Sequence, residues 1–246
     1  MAPSYDPQDA LNAITPQLGN VTLDTTASGI VANEAQMLLW NYAPWRWERK
    51  VSTSLFTVVD DTQDYTAGVP SDFMQLLEAE LVRTDTTPDE VTHLDIKNYV
   101  YTDQSTKNFP IGEIAYLQEL NSGAGGFRIP NPLIGSGVTA IVRGVYRKTP
   151  ATKYTSANLT TDFVELPDQF FYLYKEWLLY AILRFVGDSR AGTATFQNGR
   201  WAFTGQLAIA NAFSEQALQA EDYGDTQTVA PSESLTHEYP ARRLFP

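Results

Sequence analysis

The chain has 246 residues, 43% hydrophobic and 12% aromatic, which excludes general disorder and allows one large domain or two small ones with a real core. Acidic residues outnumber basic ones 29 to 17, and a net charge of −12 excludes a protein built to grip nucleic acid by its phosphates. Without cysteine there is no disulfide framework, no Cys-based zinc site and no thiol nucleophile.

The first residues, Met1 to Asp6, carry no basic n-region and no apolar h-region, so synthesis in the cytoplasm is expected. Asp6 to Leu18 predicts a short helix, with Pro7 in its first turn, Leu11 and Ile14 on its apolar face and Gly19 at its end; Pro16 weighs against the last turns. Ser28 caps a second predicted helix that runs to about Tyr42. Val31, Ala35, Leu38, Leu39 and Tyr42 mark its buried side, and Pro44 stops it. Trp45-Arg46-Trp47 follows, and two tryptophans so close pack against something large.

From Val51 the apolar period changes from 3.6 to 2, which predicts a strand through Leu55 to Asp60, a turn at Asp60-Asp61 and a return strand from Asp64-Tyr65. Met74 to Arg83 fits either a strand or a helical turn, and Leu94 to Tyr101 reads as a short helix. Glu113 to Leu120, Gly126 to Ile129 and Thr139 to Arg147 are further strands. Glycine-rich loops at Ser122 to Gly126 and Gly135 to Gly137 join them into an antiparallel meander.

Leu166 to Phe185 is the stretch around which the chain is organised. Phe170, Tyr174, Trp177, Leu178, Ala181 and Phe185 fall at helical spacing, and Phe171, Leu179 and Ile182 widen the stripe. Pro167 and Asp168 suit its start and Gly187 its stop. Lys175, Glu176 and Arg184 rule out a membrane span. A last helix is predicted from Thr193 or Gln197 to Glu221, with Trp201, Phe203, Leu207, Ala210, Phe213, Ala217 and Leu218 on one apolar face. Asp225 to Pro246 is polar, contains Pro231, Pro240 and Pro246, and reads as an extended arm. The fold expected is therefore α+β: a helical bundle of about four helices with an inserted antiparallel β domain and an extended C-terminal arm. The bundle takes 1–50 and 161–223, the β insert 51–160 and the arm 224–246.

The chemistry-bearing residues are sparse. His93 and His237 are the only histidines, far apart and read as solvent-facing, so neither a His-based metal site nor a Ser-His-Asp triad is expected. Gly123 to Gly126 precedes a strand and no P-loop lysine follows, so it reads as a hairpin loop. The carboxylate pairs Asp60/Asp61, Asp89/Glu90, Asp162/Glu165 and Glu221/Asp222 are sequence neighbours, which rarely span a glycosidase cleft. Arg46 to Lys50 is the densest basic patch, and its residues either touch phosphates or pair with acidic neighbours. No catalytic residue, cofactor or metal is expected. The arm's tip differs: Tyr239, Arg242, Arg243, Leu244 and Phe245 combine the aromatic and arginine types that anchor interfaces.

The order of these features resembles the head-to-tail adaptor proteins of tailed bacteriophages, the tubular-tail type of short-tailed phages in particular. The features are Leu39-Trp40 to Trp45-Arg46-Trp47, Asp64-Tyr65, Pro70-Ser71-Asp72-Phe73 and Arg128-Ile129-Pro130-Asn131-Pro132. They continue with Ile141 to Tyr146, Pro150 after it, and Glu165-Leu166-Pro167-Asp168 opening a long helix. The likeness covers about Ile30 to Asp188. It implies a non-enzymatic virion protein of the neck or tail, made in the host cytoplasm. About twelve copies would ring the portal, held by C-terminal arms such as the Tyr239–Phe245 tip. They would meet a downstream nozzle or hub protein and extend the channel through which double-stranded DNA passes at ejection, without specific binding and without a membrane. Two other classes compete: a virion-associated peptidoglycan hydrolase, which needs carboxylates converging in a cleft, and a carbohydrate- or receptor-binding tail module.

Overall fold

The computed structural model describes residues 3–60, 62–85, 87–97, 112–117, 125–129, 138–197 and 199–225. By its contacts the chain divides into two units, Met1–Trp47 together with Pro150–Pro246, and Glu48–Thr149. The described residues form four α-helices and ten strands in three sheets. This corrects the expected helical bundle with an inserted β domain: strand structure rivals helix, and it enters the helix-rich unit as well.

The helix-rich unit is built around α3 (Phe171–Phe185), which a single 3-10 turn (Asp168–Phe170) introduces. Leu173, Tyr174 and every residue from Trp177 to Leu183 are buried, because α1 (Pro7–Leu18), α2 (Thr25–Tyr42) and α4 (Gly205–Asp225) each pack on this helix. A helix apolar around most of its circumference satisfies no solvent-facing role and is covered on several sides. Into this core α1 sends Ala10, Leu11 and Ile14, α2 sends Val31, Ala35 and Leu39, and α4 sends Leu207, Ala210 and Ala217. The polar tips in this core find partners. Trp177 Nε1 donates to Ser214 Oγ at 3.0 Å, Tyr174 Oη donates to the Ala32 carbonyl at 3.2 Å, and Trp45 Nε1 donates to the Leu39 carbonyl at 2.8 Å.

Local chemistry sets the helix ends. Asp6 caps α1 in a capping box with Asp9, and Asp24, not Ser28, caps α2 by accepting from the Ala27 N–H. Asp168 does not cap α3; its carboxylate accepts instead from the Ser4 N–H and Oγ, which ties the N-terminal segment to the entry of α3. Arg190 donates to the Gln17 and Leu18 carbonyls, groups that the last turn of α1 leaves without a helical partner.

Where the last helix was predicted to begin there is instead a hairpin, β9 (Ala194–Gln197) and β10 (Arg200–Phe203), with Trp201 opposite Phe196. Gly192 at φ 82° closes its base: a Cβ there would lie 1.8 Å from the Thr204 carbonyl oxygen.

The strand-rich unit contains two four-stranded sheets. The first has the order β1 (Arg49–Val58), β8 (Ala140–Lys148), β3 (Phe73–Arg83), β4 (Glu90–His93), all antiparallel. The second has the order β2 (Asp64–Tyr65), β7 (Gly126–Arg128), β6 (Glu113–Leu117), β5 (Asp95–Lys97). Here β5 and β6 run parallel, which corrects both the antiparallel meander and the helix expected from Leu94; residues 98–101 of that stretch lie outside the described residues. Leu55, Leu76, Val142 and Tyr146 from the first sheet share a core with Ile114 and Phe127 from the second. Phe127 is the pivot, its ring 5.4 Å from Phe56, 5.2 Å from Phe73 and 5.5 Å from Tyr116. Gly144 lets the strands approach, since a Cβ would meet the Glu78 carbonyl oxygen at 2.5 Å. The buried pair Arg147–Glu48 lies in this unit, with side chains 4% and 0% exposed.

Candidate assembly surfaces

Three of the carboxylates singled out in the sequence, Asp162, Glu165 and Glu90, are occupied with holding the fold. Asp162 accepts from Asn158 Nδ2 at 2.5 Å and Glu165 from the Thr152 N–H at 2.6 Å, so both pin the connection leading into α3. Glu90 pairs with Arg83 at 3.4 Å. His93 is exposed on β4, opposite Glu80. His237, Asp61, Gly123 and Ala124 lie outside the described residues. No group of three or more His, Cys, Asp or Glu among the described residues is placed to hold a metal ion.

Of the basic patch, Lys50 pairs with Asp72 at 2.9 Å, and Tyr146 Oη donates to the same carboxylate at 2.9 Å. Burial works to raise the Asp72 pKa, but the Lys50 and Tyr146 hydrogen bonds and the Lys50 charge together hold it below the ordinary aspartate value of 3.8. A carboxyl depressed in the folded state stabilises fully above its unfolded pKa, and that contribution is lost as pH falls through the folded value. The melting temperature of the parent should therefore drop more steeply below about pH 4 than that of Asp72→Asn. Superimposable acid limbs would show that this cluster contributes nothing.

Asp64 and Arg128 form a two-pronged pair across β2 and β7, at 2.5 and 2.7 Å. On the outer face of the first sheet, Arg143 donates to Glu80 at 2.7 Å beside a shallow depression of about 230 Å³ that His93 also lines.

The exposed apolar side chains of the helix-rich unit include three groups on its hairpin and helices, besides Tyr5, Phe163, Phe185 and Val186. Phe196 and Trp201 stand across the β9–β10 hairpin, ring centroids 5.2 Å apart, at 60% and 49% exposure. Ile209 and Phe213 are exposed one turn apart on α4. Ile30 and Met37 are exposed two turns apart on α2. The sequence reading assigned Trp201 and Phe213 to a buried face. The missed signal for the hairpin is Asn198-Gly199, a dipeptide that favours tight hairpin turns. Tyr239, Arg242, Arg243, Leu244 and Phe245, the predicted partner-binding residues, lie outside the described residues, as does the rest of the arm beyond Asp225.

Residues 6–230 of this chain match the sequence model of the SU10 adaptor protein family. The match spans residues of both units. The chain belongs to the SU10 adaptor protein family. It is a phage head-to-tail adaptor, a structural protein of the virion neck that associates with other head and tail proteins. No curated protein matches the sequence. No helix of this adaptor, among its described residues, is long and apolar enough to cross a membrane. The match extends well beyond the Ile30 to Asp188 stretch that carried the resemblance, and takes in α1, the hairpin and α4.

Proposed function

We propose that twelve copies of this adaptor form a ring between the portal and the next tail component, extending the channel through which DNA leaves, with no catalytic role. The observation that carries this reading is the adaptor-family match over 6–230. The charge supports it: twelve copies at −12 each carry −144, so a channel of such subunits repels phosphate and lets DNA slide. The bodies also repel one another, so the chain is a monomer or small oligomer until the portal organises it.

The C-terminal arm, 224–246, is the portal anchor in this proposal, with Tyr239, Arg242, Arg243, Leu244 and Phe245 as its contact residues. Its 23 residues extend to at most about 80 Å, enough to cross a neighbouring subunit. Twelve weak arms acting together bind tightly through effective concentration. Deleting Tyr239 to Pro246 should leave the melting curve unchanged and abolish co-sedimentation with portal rings. Co-sedimentation at the parent's affinity would remove the arm from the interface.

A further inference from the structure

The exposed faces of α2 and α4 share a chemistry that their own unit does not use. On α4, Gly205, Ile209, Ala212, Phe213, Gln216 and Ala220 are all exposed, and at 3.6 residues per turn they fall within about 100° of arc. None is charged; the nearest exposed charge on the helix, Glu215, sits about 60° beyond the stripe's edge. On α2, Thr26, Ile30, Met37 and Asn41 are exposed within about 60° of arc. The one carboxylate at the edge of that stripe, Glu34, is half-buried and neutralised by Arg184 at 3.2 Å. The two stripes each run sixteen residues, from 26 to 41 and from 205 to 220, about 22 Å at the helical rise.

We infer that these two stripes are the copy-to-copy contact of the adaptor: the α4 face of one subunit packs on the α2 face of the next. Charge selects the occupant. A strip without cations takes neither DNA phosphates nor an anionic lipid surface. Each copy carries −12, so copies meet with least repulsion through faces free of charge, and these are two such faces of equal length. That there are two, on different helices that both rest on α3, selects the geometry. One self-complementary patch closes a dimer, whereas two different patches on one body repeat head to tail, which closes a ring when the rotation per subunit divides a full turn. The inference rests on the ring proposed above and names the surface that builds it.

The protein has no cysteine, so introduced thiols are its only ones. Particles carrying Met37→Cys together with Gln216→Cys should give a ladder of multimers with a short bismaleimide, whereas either single variant should give none. Ile209→Glu should weaken the ladder of glutaraldehyde-treated particles with the melting temperature of the purified protein unchanged, since Ile209 is 46% exposed. Dimers from a single-cysteine variant would mean that a face pairs with itself, and would overturn the assignment. Multimers with glutaraldehyde but none with bismaleimide in the double variant would overturn the assignment and leave the ring standing. No multimers with either reagent would remove the ring, and the inference with it. A melting temperature of the double variant equal to the parent's confirms that the thiols report on an intact fold.

Discussion

Trp177→Ala is expected to destabilise the adaptor by about 3–5 kcal/mol, the range for truncating a large buried aromatic. Trp177 is 1% exposed in the middle of α3, where helices from both ends of the chain converge. Its ring lies 5.7 Å from Tyr42 on α2 and 6.0 Å from Tyr180 on α3, and its N–H reaches Ser214 on α4. The substitution therefore opens a cavity that three helices line. It strands no hydroxyl, because Ser214 Oγ still donates to the Ala210 carbonyl at 2.8 Å. The loss is thus packing rather than hydrogen bonding. For a chain of this size each kcal/mol moves the melting temperature by about 2–4 °C, so the transition should fall by roughly 6–20 °C. Ser214→Ala separates the two contributions: it leaves the indole N–H buried without its acceptor and should cost about 1–3 kcal/mol. A Trp177→Ala melting curve within error of the parent would show that α3 is not the hub of its unit.

Breaking the buried pair in the strand-rich unit should cost as much. Arg147→Met leaves the Glu48 carboxylate, which is fully buried, without the guanidinium that neutralises it. Removing one partner of a buried ion pair costs about 3–5 kcal/mol, because the remaining charge stays desolvated. The double variant Glu48→Leu/Arg147→Met should regain most of that loss, since two apolar groups of similar size need no compensation. Denaturant melts of the parent, both single variants and the double variant form the cycle that measures it. If Arg147→Met alone were neutral, the pair would be incidental to the fold.

Residues with one dominant period were legible from the sequence. The apolar stripes of α1, α2 and α3 repeat at 3.6 and β8 alternates at 2, so each was found near its observed limits; β1 was found as well, although its register shift puts the neighbours Leu55 and Phe56 both in the core. Ala194 to Phe203 was not, because Trp201 and Phe203 lie at spacings that also continue the α4 stripe, and the turn signal Asn198-Gly199 was outvoted. Phe185 and Phe213 were placed in the core on periodicity alone, yet both are exposed, since a stripe says where apolar residues gather and not how much of it a neighbour covers. The parallel pairing of β5 with β6 was invisible for another reason: strands of three and five residues carry no direction in their composition. Of the proposed assembly surfaces, the arm's tip stood out by residue type, whereas the α2 and α4 stripes are recognisable only once α3 shows which faces remain uncovered.

The split of the helix-rich unit between the two ends of the chain has a consequence for the order of events on the ribosome. Residues 48–149 are contiguous and hold a core of their own, so they have what they need to fold as soon as they emerge. α1 and α2 emerge earlier but have nothing to pack on until α3 arrives. The intervening stretch, 43 to 170, takes roughly 6–26 s to make at about 5–20 residues per second. During that interval the inner faces of two finished helices wait in solvent, the condition under which nascent chains recruit holdases. α4 is made last, so a growing chain cannot offer its α4 face to a neighbour's α2 before its own α3 is in place.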